Sequence, residues 1–316
     1  TIDLHLHTTC SDGLDTPEEL VETAVASGYR AISITDHDTV EGVIRGLAAA
    51  ENTGLEVIPG IEMSALEDMS DIHILGYHID YTDENFIHRI AFFKEKRHER
   101  AEEIVESLNR LGLDIQIDTV LRMAHGAPVG RPHIAEALVS EELVTTYDEA
   151  FARYIGTHGP AYVPKYRVTP REAIELIIRS GGVPVLAHPG VLNRDELIVE
   201  FLEYGLMGVE AIHPLHPIEK QTYYENIAKK YGLIVTGGSD WHGKGRRRAT
   251  KKPAPSLKVT EKTVSDLKVA SMSTREIGTR ISPHVDSLPR VLSSDGNKIG
   301  KSGRSEEHTS ELQSRI

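Results

Sequence analysis

Two histidines one residue apart, His5 and His7, close the apolar run 2–7 (IDLHLH). In an extended chain, side chains repeat every two residues, so both rings fall on one side. Similar residue types close or follow the other apolar runs. Asp36, His37 and Asp38 stand in TDHD, Glu62 in PGIE, His73 in IHILGY, and His188 in AHPG. Asp240 and His242 stand in GGSDWHG, and Asp12 in the SDG turn after the first pair. Neutral imidazoles mixed with carboxylates suit Zn²⁺, Mn²⁺ or Fe²⁺, whereas Ca²⁺ and Mg²⁺ prefer shells of oxygen alone. One such residue is more often a satisfied polar group, and one His-x-His pair is a weak signal. The set as a whole is different, because burying so many ionisable groups without a cation would cost heavily.

The elements that must position these residues follow a simple rhythm. The runs 2–7, 31–36, 56–62, 72–79, 183–188, 208–213 and 233–240 read as strands. Several are continuously apolar, which suits strands buried on both faces. The connectors read as helices. Thr16, Pro17 and Glu19 form a capping box with proline at the first helical position, and Gly28 is the stop. Thr169, Pro170 and Glu172 repeat the device before 173–179, which Gly181 and Gly182 end. Strand–helix alternation with about seven strands predicts a closed or nearly closed parallel α/β barrel. Its strand ends converge on one face, where barrel enzymes carry their chemistry.

The stretch 83–167 breaks the rhythm. It offers no convincing strand, and 85–111, 118–125, 133–140 and 147–155 read as helices. The expected organisation is a barrel from 1–82 and 168–270, with 83–167 as a helical insertion domain. A last strand and helix are expected in 258–270. From 271 to 316 periodicity is lost, and the segment 304–314 (RSEEHTSELQS) looks like a translated sequencing-library adapter. The tail 271–316 is therefore read as disordered or artefactual.

Bulk properties narrow the function. The chain has 316 residues, 39% of them hydrophobic, enough to bury a sizeable core. A net charge of −13 argues against a general nucleic-acid coat or a membrane-surface protein. An anionic substrate stays open, because bound cations would reverse the local field. The single cysteine, Cys10, excludes an intramolecular disulfide and fits a reducing, cytoplasmic setting. Cys10 reads as a packing residue rather than a nucleophile. No apolar run approaches a membrane span, and no secretory leader opens the chain. The first residue is Thr1 rather than Met, so a short piece of the start is expected to be missing.

The motifs HLHTTCSDG, TDHDTVEG, PGIEMSA, IHILGY, LAHPG and GGSDWHG resemble the polymerase and histidinol phosphatase (PHP) family. The likeness runs over 2–243, with a weaker continuation at 259–267, and the motifs together are highly specific. It implies a distorted (β/α)₇ TIM-like barrel holding two or three divalent metal ions, Mn²⁺ first, with Zn²⁺ or Fe²⁺ as alternatives. By that resemblance His5, His7, Glu62 and Asp240 hold the first ion. Glu62 bridges to a second held by His73 and His188, and Asp12, His37 and His242 hold the third. Some relatives have histidine where this chain has Asp12. His78 competes with His73, but IHILGY matches the family at His73. GRPHIA (130–135) and AYVPK (161–165) resemble the branch of nucleotide 3′,5′-bisphosphate phosphatases and 5′–3′ exoribonucleases.

The activity implied is hydrolysis of phosphate esters by metal-activated water, with Glu62, His188 and Asp240 as catalytic residues. The substrate is a small phosphorylated molecule, a nucleotide by the branch resemblance, with short single-stranded RNA or DNA ends as larger candidates. No membrane or obligate protein partner is implied. Arg131, His133 and Lys165 could clamp phosphate, against ordinary salt-bridging or solvation. His216 is a candidate for substrate contact or leaving-group protonation. With His213 in IHPLHP it could equally belong to a turn. The basic run 244–252 (KGRRRATKK) reads as a solvated loop, with contact to longer nucleic acid as the alternative. Rival readings are a histidinol-phosphate-type phosphatase, an amidohydrolase, a non-catalytic metal-binding module and a polymerase accessory. Against the amidohydrolase, no strand ends in lysine to form a bridging carbamate, and Glu62 offers the bridge instead.

Overall fold

Each of the seven apolar runs is a strand in the computed structural model. They are β1 (Ile2–Leu6), β2 (Ala31–Ile34), β3 (Glu56–Glu67), β4 (Ser70–Tyr77), β5 (Val183–Leu186), β6 (Gly208–Ile212) and β7 (Ile234–Gly237). The structure describes residues 1–68, 70–164, 166, 168–243 and 259–278, all within one compact unit, Thr1–Ile281. The strands lie in the order β1 to β7 in one sheet. Leu6 pairs with Trp241, and the His7 N–H donates to the Trp241 carbonyl at 2.9 Å. The chain after the last strand thus returns to the first, and the sheet curls into a nearly closed barrel.

One strand departs from the all-parallel expectation. β4 runs antiparallel to both β3 and β5, while the other neighbours are parallel. The cause is the turn between Glu67 and Ser70, because a parallel crossover needs about a dozen residues or more. The reversal puts the start of β4, not its end, at the rim where the other strands finish. His73 reaches that rim from near the start of its strand.

The helices α1 (Pro17–Ala26) and α2 (Glu41–Ala49) follow β1 and β2. α1 opens on the expected capping box, Thr16 with Glu19, and Gly28 beyond its end takes a left-handed φ of 73°. After β4 come α3 (Glu84–Arg110), α4 (Ile117–Ala124), α5 (Arg131–Ser140) and α6 (Tyr147–Ala150), the last running into a wide turn, Phe151–Ile155. α3 joins two apolar clusters. Phe86, Ile90 and Phe93 pack with barrel residues such as Ile61, Ile74 and Ile174, whereas Ile104 and Leu108 pack with Ile115, Val120 and Leu138. Its 27 residues make a strut about 40 Å long.

α7 (Pro170–Arg179) carries the second capping box, Thr169 with Glu172. α8 (Pro189–Leu192), α9 (Glu196–Tyr204) and α10 (Ile218–Tyr231) complete the repeat, and α11 (Glu261–Gly278) closes the described chain. No further strand precedes α11 among the described residues. α11 runs past residue 271, where the sequence alone suggests disorder. Leu267, Ser271 and Thr274 are buried, and the Thr274 hydroxyl donates to the Gly181 carbonyl at 2.8 Å. That docking is a tertiary contact with no local periodicity to announce it. The basic run 244–252 and residues 279–316 lie outside the described residues. No described helix is long and apolar enough to cross a membrane.

Candidate metal centre

The barrel rim brings nine of the sequence-singled residues together. Glu62, 1% exposed, sits at the centre. Its Oε2 lies 3.1 Å from both His5 Nε2 and His7 Nε2. Its Oε1 lies 2.8 Å from His73 Nδ1 and 3.2 Å from His188 Nε2. Asp240 Oδ1 lies 3.4 Å from His5 Nε2 and 3.2 Å from His7 Nε2. Asp12 Oδ1 lies 3.2 Å from His242 Nε2 and 4.0 Å from His37 Nε2. Three groups could each hold one ion: His5, His7, Glu62 and Asp240; His7, Asp12, His37 and His242; and His37, Glu62 and His73. The first is the set implied by the family resemblance. In the others His37 lies between two groups, and His188 approaches through Glu62 Oε1.

The donor chemistry fits divalent cations. His5 Nε2 and His7 Nε2 lie 3.1 Å apart, each within 3.4 Å of Glu62 Oε2 and Asp240 Oδ1, so four potential ligand atoms converge on one point. The buried His7 Nδ1 and His37 Nδ1 make no hydrogen bond. Burial works to lower the His5 pKa, but Glu210 and Glu62 push it well above the usual imidazole range. Burial also opposes charge on His7, yet Asp240 and Glu62 raise it to about 10. His37 goes the other way, driven by burial down to about 3. Burial would raise Glu62, Asp240 and Asp12, but their histidine neighbours hold all three well below the carboxylate range. The centre is a set of ionised carboxylates facing nitrogens that would exchange protons for cations.

Close backbone packing makes this possible. A Cβ on Gly238 would fall 2.1 Å from His5 Cβ, so only glycine lets the segment after β7 lie against β1. That is a physical reason for the first half of GGSDWHG. Asp36 is buried and accepts from the Thr8 N–H and hydroxyl and the Ser11 hydroxyl, which fixes the loop carrying Asp12. His188 and Asp240 adopt positive φ, 28° and 51°, as their strands end.

A cavity of about 780 Å³ is lined by Asp12, His37, Glu62, His73, His188, Asp240 and His242 together with Arg97, Arg100, Arg131 and His133. Arg131 lies 3.7 Å from Asp71 and over the Phe151 and Tyr162 rings. His133 is buried, with Nδ1 accepting from the Gly130 N–H at 3.1 Å. Arg100 is 7% exposed, and its Nη2 has no hydrogen-bond partner. Burial, then the Arg131 and Arg97 guanidiniums, push its pKa down to about 10. Lys165 lies outside the described residues.

His216, open in the sequence to substrate contact or to a turn, does not line this cavity. Its ring is 2% exposed, Nδ1 donates to the Ala211 carbonyl, and Nε2 accepts from the Gly190 N–H. With both nitrogens committed to backbone it is a turn-holding residue. His213 does face the centre, its Nε2 lying 3.5 Å from Asp240 Oδ2. Sequence reasoning missed Arg97 and Arg100, because two arginines in a charged helical run look solvated. It also missed Glu210, whose signal was present: a lone acid inside the buried strand GVEAI.

Comparison with known proteins agrees with this geometry. The PHP domain profile matches residues 3–176. The 5′–3′ exoribonuclease Rnm of Escherichia coli is 34% identical over 247 residues, 76% of this chain and 84% of the relative. The 3′,5′-nucleoside bisphosphate phosphatase of Chromobacterium violaceum is 30% identical over 250 residues, 77% of this chain and 88% of the relative. The phosphoribosyl 1,2-cyclic phosphate 1,2-diphosphodiesterase of Eggerthella lenta is 31% identical over 246 residues, 77% of this chain and 94% of the relative. Among solved structures, a Bifidobacterium adolescentis protein assigned as a metal-dependent phosphoesterase superposes with a TM-score of 0.77. It is 33% identical and covers 85% of this chain, which spans 96% of it. Barrel, cluster and relatives define a metal-dependent phosphoesterase, a hydrolase of phosphate esters. The chain belongs to the PHP family.

Proposed function

We propose that this phosphoesterase removes phosphate from nucleotides that carry a second phosphate. 3′,5′-Bisphosphate nucleotides are the preferred substrates, and short RNA or DNA 5′ ends the larger ones. One observation carries the reading. A single cavity is lined both by Glu62 with His37, His73, His188 and His242 and by three guanidiniums, Arg97, Arg100 and Arg131. Two anionic groups on one substrate would match two such sets. The named activities of the Escherichia coli and Chromobacterium violaceum relatives support the same class.

In this reading His5, His7, Asp12, His37, Glu62, His73, His188, Asp240 and His242 hold two or three ions, Mn²⁺ ahead of Zn²⁺ or Fe²⁺. Bound there, the ions supply a nucleophile at neutral pH by lowering the pKa of water, and neutralise charge on the phosphate. The chain does the rest. Glu62 spaces the two histidine sets with its two oxygens. Asp240 orients His5 and His7, and His188 completes the wall beside Glu62. Arg131 and His133, with Lys165, hold the far phosphate through charge-assisted contacts. The helical segment 83–167 acts as the specificity wall on a barrel of 1–82 and 168–270. The single cysteine fits a reducing, cytoplasmic setting.

The test compares kcat/KM for a 3′,5′-bisphosphate nucleotide, a nucleoside monophosphate and histidinol phosphate, with and without Arg131→Ala. One charge-assisted contact of about 1.5–3 kcal/mol corresponds to a preference of roughly ten- to a hundredfold. Equal rates on all three, or a preference untouched by the substitution, would overturn the substrate assignment.

A further inference from the structure

Behind the candidate metal residues lies a carboxylate that neither the motifs nor the cavity wall includes. Glu210, in the middle of β6, is fully buried. Its Oε1 lies 3.0 Å from His5 Nδ1, and its Oε2 accepts from the His188 N–H at 2.9 Å. We propose that Glu210 is a positioning residue for both halves of the metal centre, clamping the His5 ring with one oxygen and the His188 backbone with the other. The inference rests on the metal-binding role of His5 and His188 given above.

The two contacts have different consequences. A proton on His5 Nδ1 directed at Glu210 leaves Nε2 as the bare nitrogen, and Nε2 is the atom facing Glu62 and Asp240. Which ring nitrogen can ligate a metal is set by the hydrogen bond of the other. At His188 the carboxylate holds backbone rather than ring. His188 has φ 28° and ψ 56°, which a residue with a side chain rarely adopts. The bond to its N–H stabilises that bend and aims Nε2 at Glu62 Oε1, 3.2 Å away. Glu62 therefore spans the two histidine sets from the front and Glu210 from behind.

The geometry also explains why an acid is needed. Both partners are N–H donors, and an ionised carboxylate accepts at both oxygens. Glutamine could accept from the His188 N–H and donate its own N–H₂ to His5 Nδ1, but that moves the His5 proton to Nε2, the atom facing Glu62. The alternative is a buried acid that merely holds β6 to β1 and the turn after β5. It would affect stability with or without metal, whereas a positioning residue affects metal affinity most.

The experiment titrates Mn²⁺ alone into the metal-free full chain, wild type and Glu210→Gln, with melting temperatures of the metal-free proteins in parallel. The expected result is Mn²⁺ binding weakened ten- to a hundredfold in the variant, the usual cost of losing a partner behind a ligand. Hydrolysis should recover in part at high Mn²⁺, with the metal-free melting temperatures close together. Equal Mn²⁺ affinity in both proteins overturns this inference alone. A wild type that binds neither Mn²⁺, Zn²⁺ nor Fe²⁺ overturns the metal centre and this inference together. Should Glu210→Gln not fold, ¹⁵N NMR of the wild-type histidine rings loaded with Zn²⁺ decides. A proton on His5 Nδ1 supports the assignment, and its absence there overturns it.

Discussion

His73 Nδ1 lies 2.8 Å from Glu62 Oε1, although His73 sits near the start of its strand and Glu62 in the middle of a longer one. The contact exists because β4 runs against β3, with His73 in register with Ser64. In a parallel β4 this residue, near the start of its strand, would lie toward the opposite end of the barrel. The antiparallel strand thus completes the ring of nitrogens around Glu62.

Glu62→Gln is expected to lower kcat/KM on phosphate esters by two orders of magnitude or more while the barrel stays folded by circular dichroism. An amide offers one acceptor oxygen where the carboxylate offers two, one to each histidine set. Activity within a factor of about three of the parent corresponds to less than about 1 kcal/mol of barrier and would refute the bridging role.

Arg97 and Arg131 line the same cavity but should fail differently. Arg97 Nη2 pairs with Asp38, which is 4% exposed, and donates to Ser64 Oγ at 2.8 Å. Arg97→Met strands a buried carboxylate and is expected to cost about 1.5–3 kcal/mol in urea unfolding. Arg131 faces Asp71, which is 42% exposed, and lies over the Phe151 and Tyr162 rings, so Arg131→Ala should cost about 1 kcal/mol of stability. Its effect should fall on substrate preference. A reversed ranking of the two stability losses would contradict the pairing described.

Gly238→Ala tests the closeness of the barrel seam. The added Cβ would meet His5 Cβ at 2.1 Å and the His5 nitrogen at 2.5 Å. Backbone must shift, at a cost of about 1–3 kcal/mol, and His5 moves with it. The expected outcome is a lower melting temperature together with weaker Mn²⁺ binding. A variant that melts and binds like the parent would show that the seam has slack.

His78 gives a pH dependence away from the candidate metal residues. Burial lowers its pKa from 6.5 to about 4, with Arg275 and Lys268 adding to the shift. Between those values the unfolded chain binds a proton that the folded chain refuses, so stability falls as pH drops from 6.5 to 4. His78→Asn tolerates the left-handed φ of 56° and removes this loss. The stability of wild type minus variant, measured by urea unfolding in chelator, should decrease from pH 7 to pH 5. A difference constant with pH would show that His78 stays as free to protonate as in the unfolded chain.

The sequence by itself determined the strands, the two capped helices and the residue types at the rim. These follow from local signals: an apolar run bounded by His or Asp, and the threonine–proline–glutamate device at Thr16 and Thr169. Tertiary structure decided the rest. The direction of β4 came from a turn too short for a crossover, and α11 extends past residue 271 because Thr274 docks on Gly181. Partners on different strands, such as His5 and Glu210, 205 positions apart, have no spacing to reveal them. Glu210 therefore remained one acid in a buried strand until the barrel closed and set its two oxygens against His5 and His188. His216 went the other way, since only the folded backbone shows that both its nitrogens are already committed.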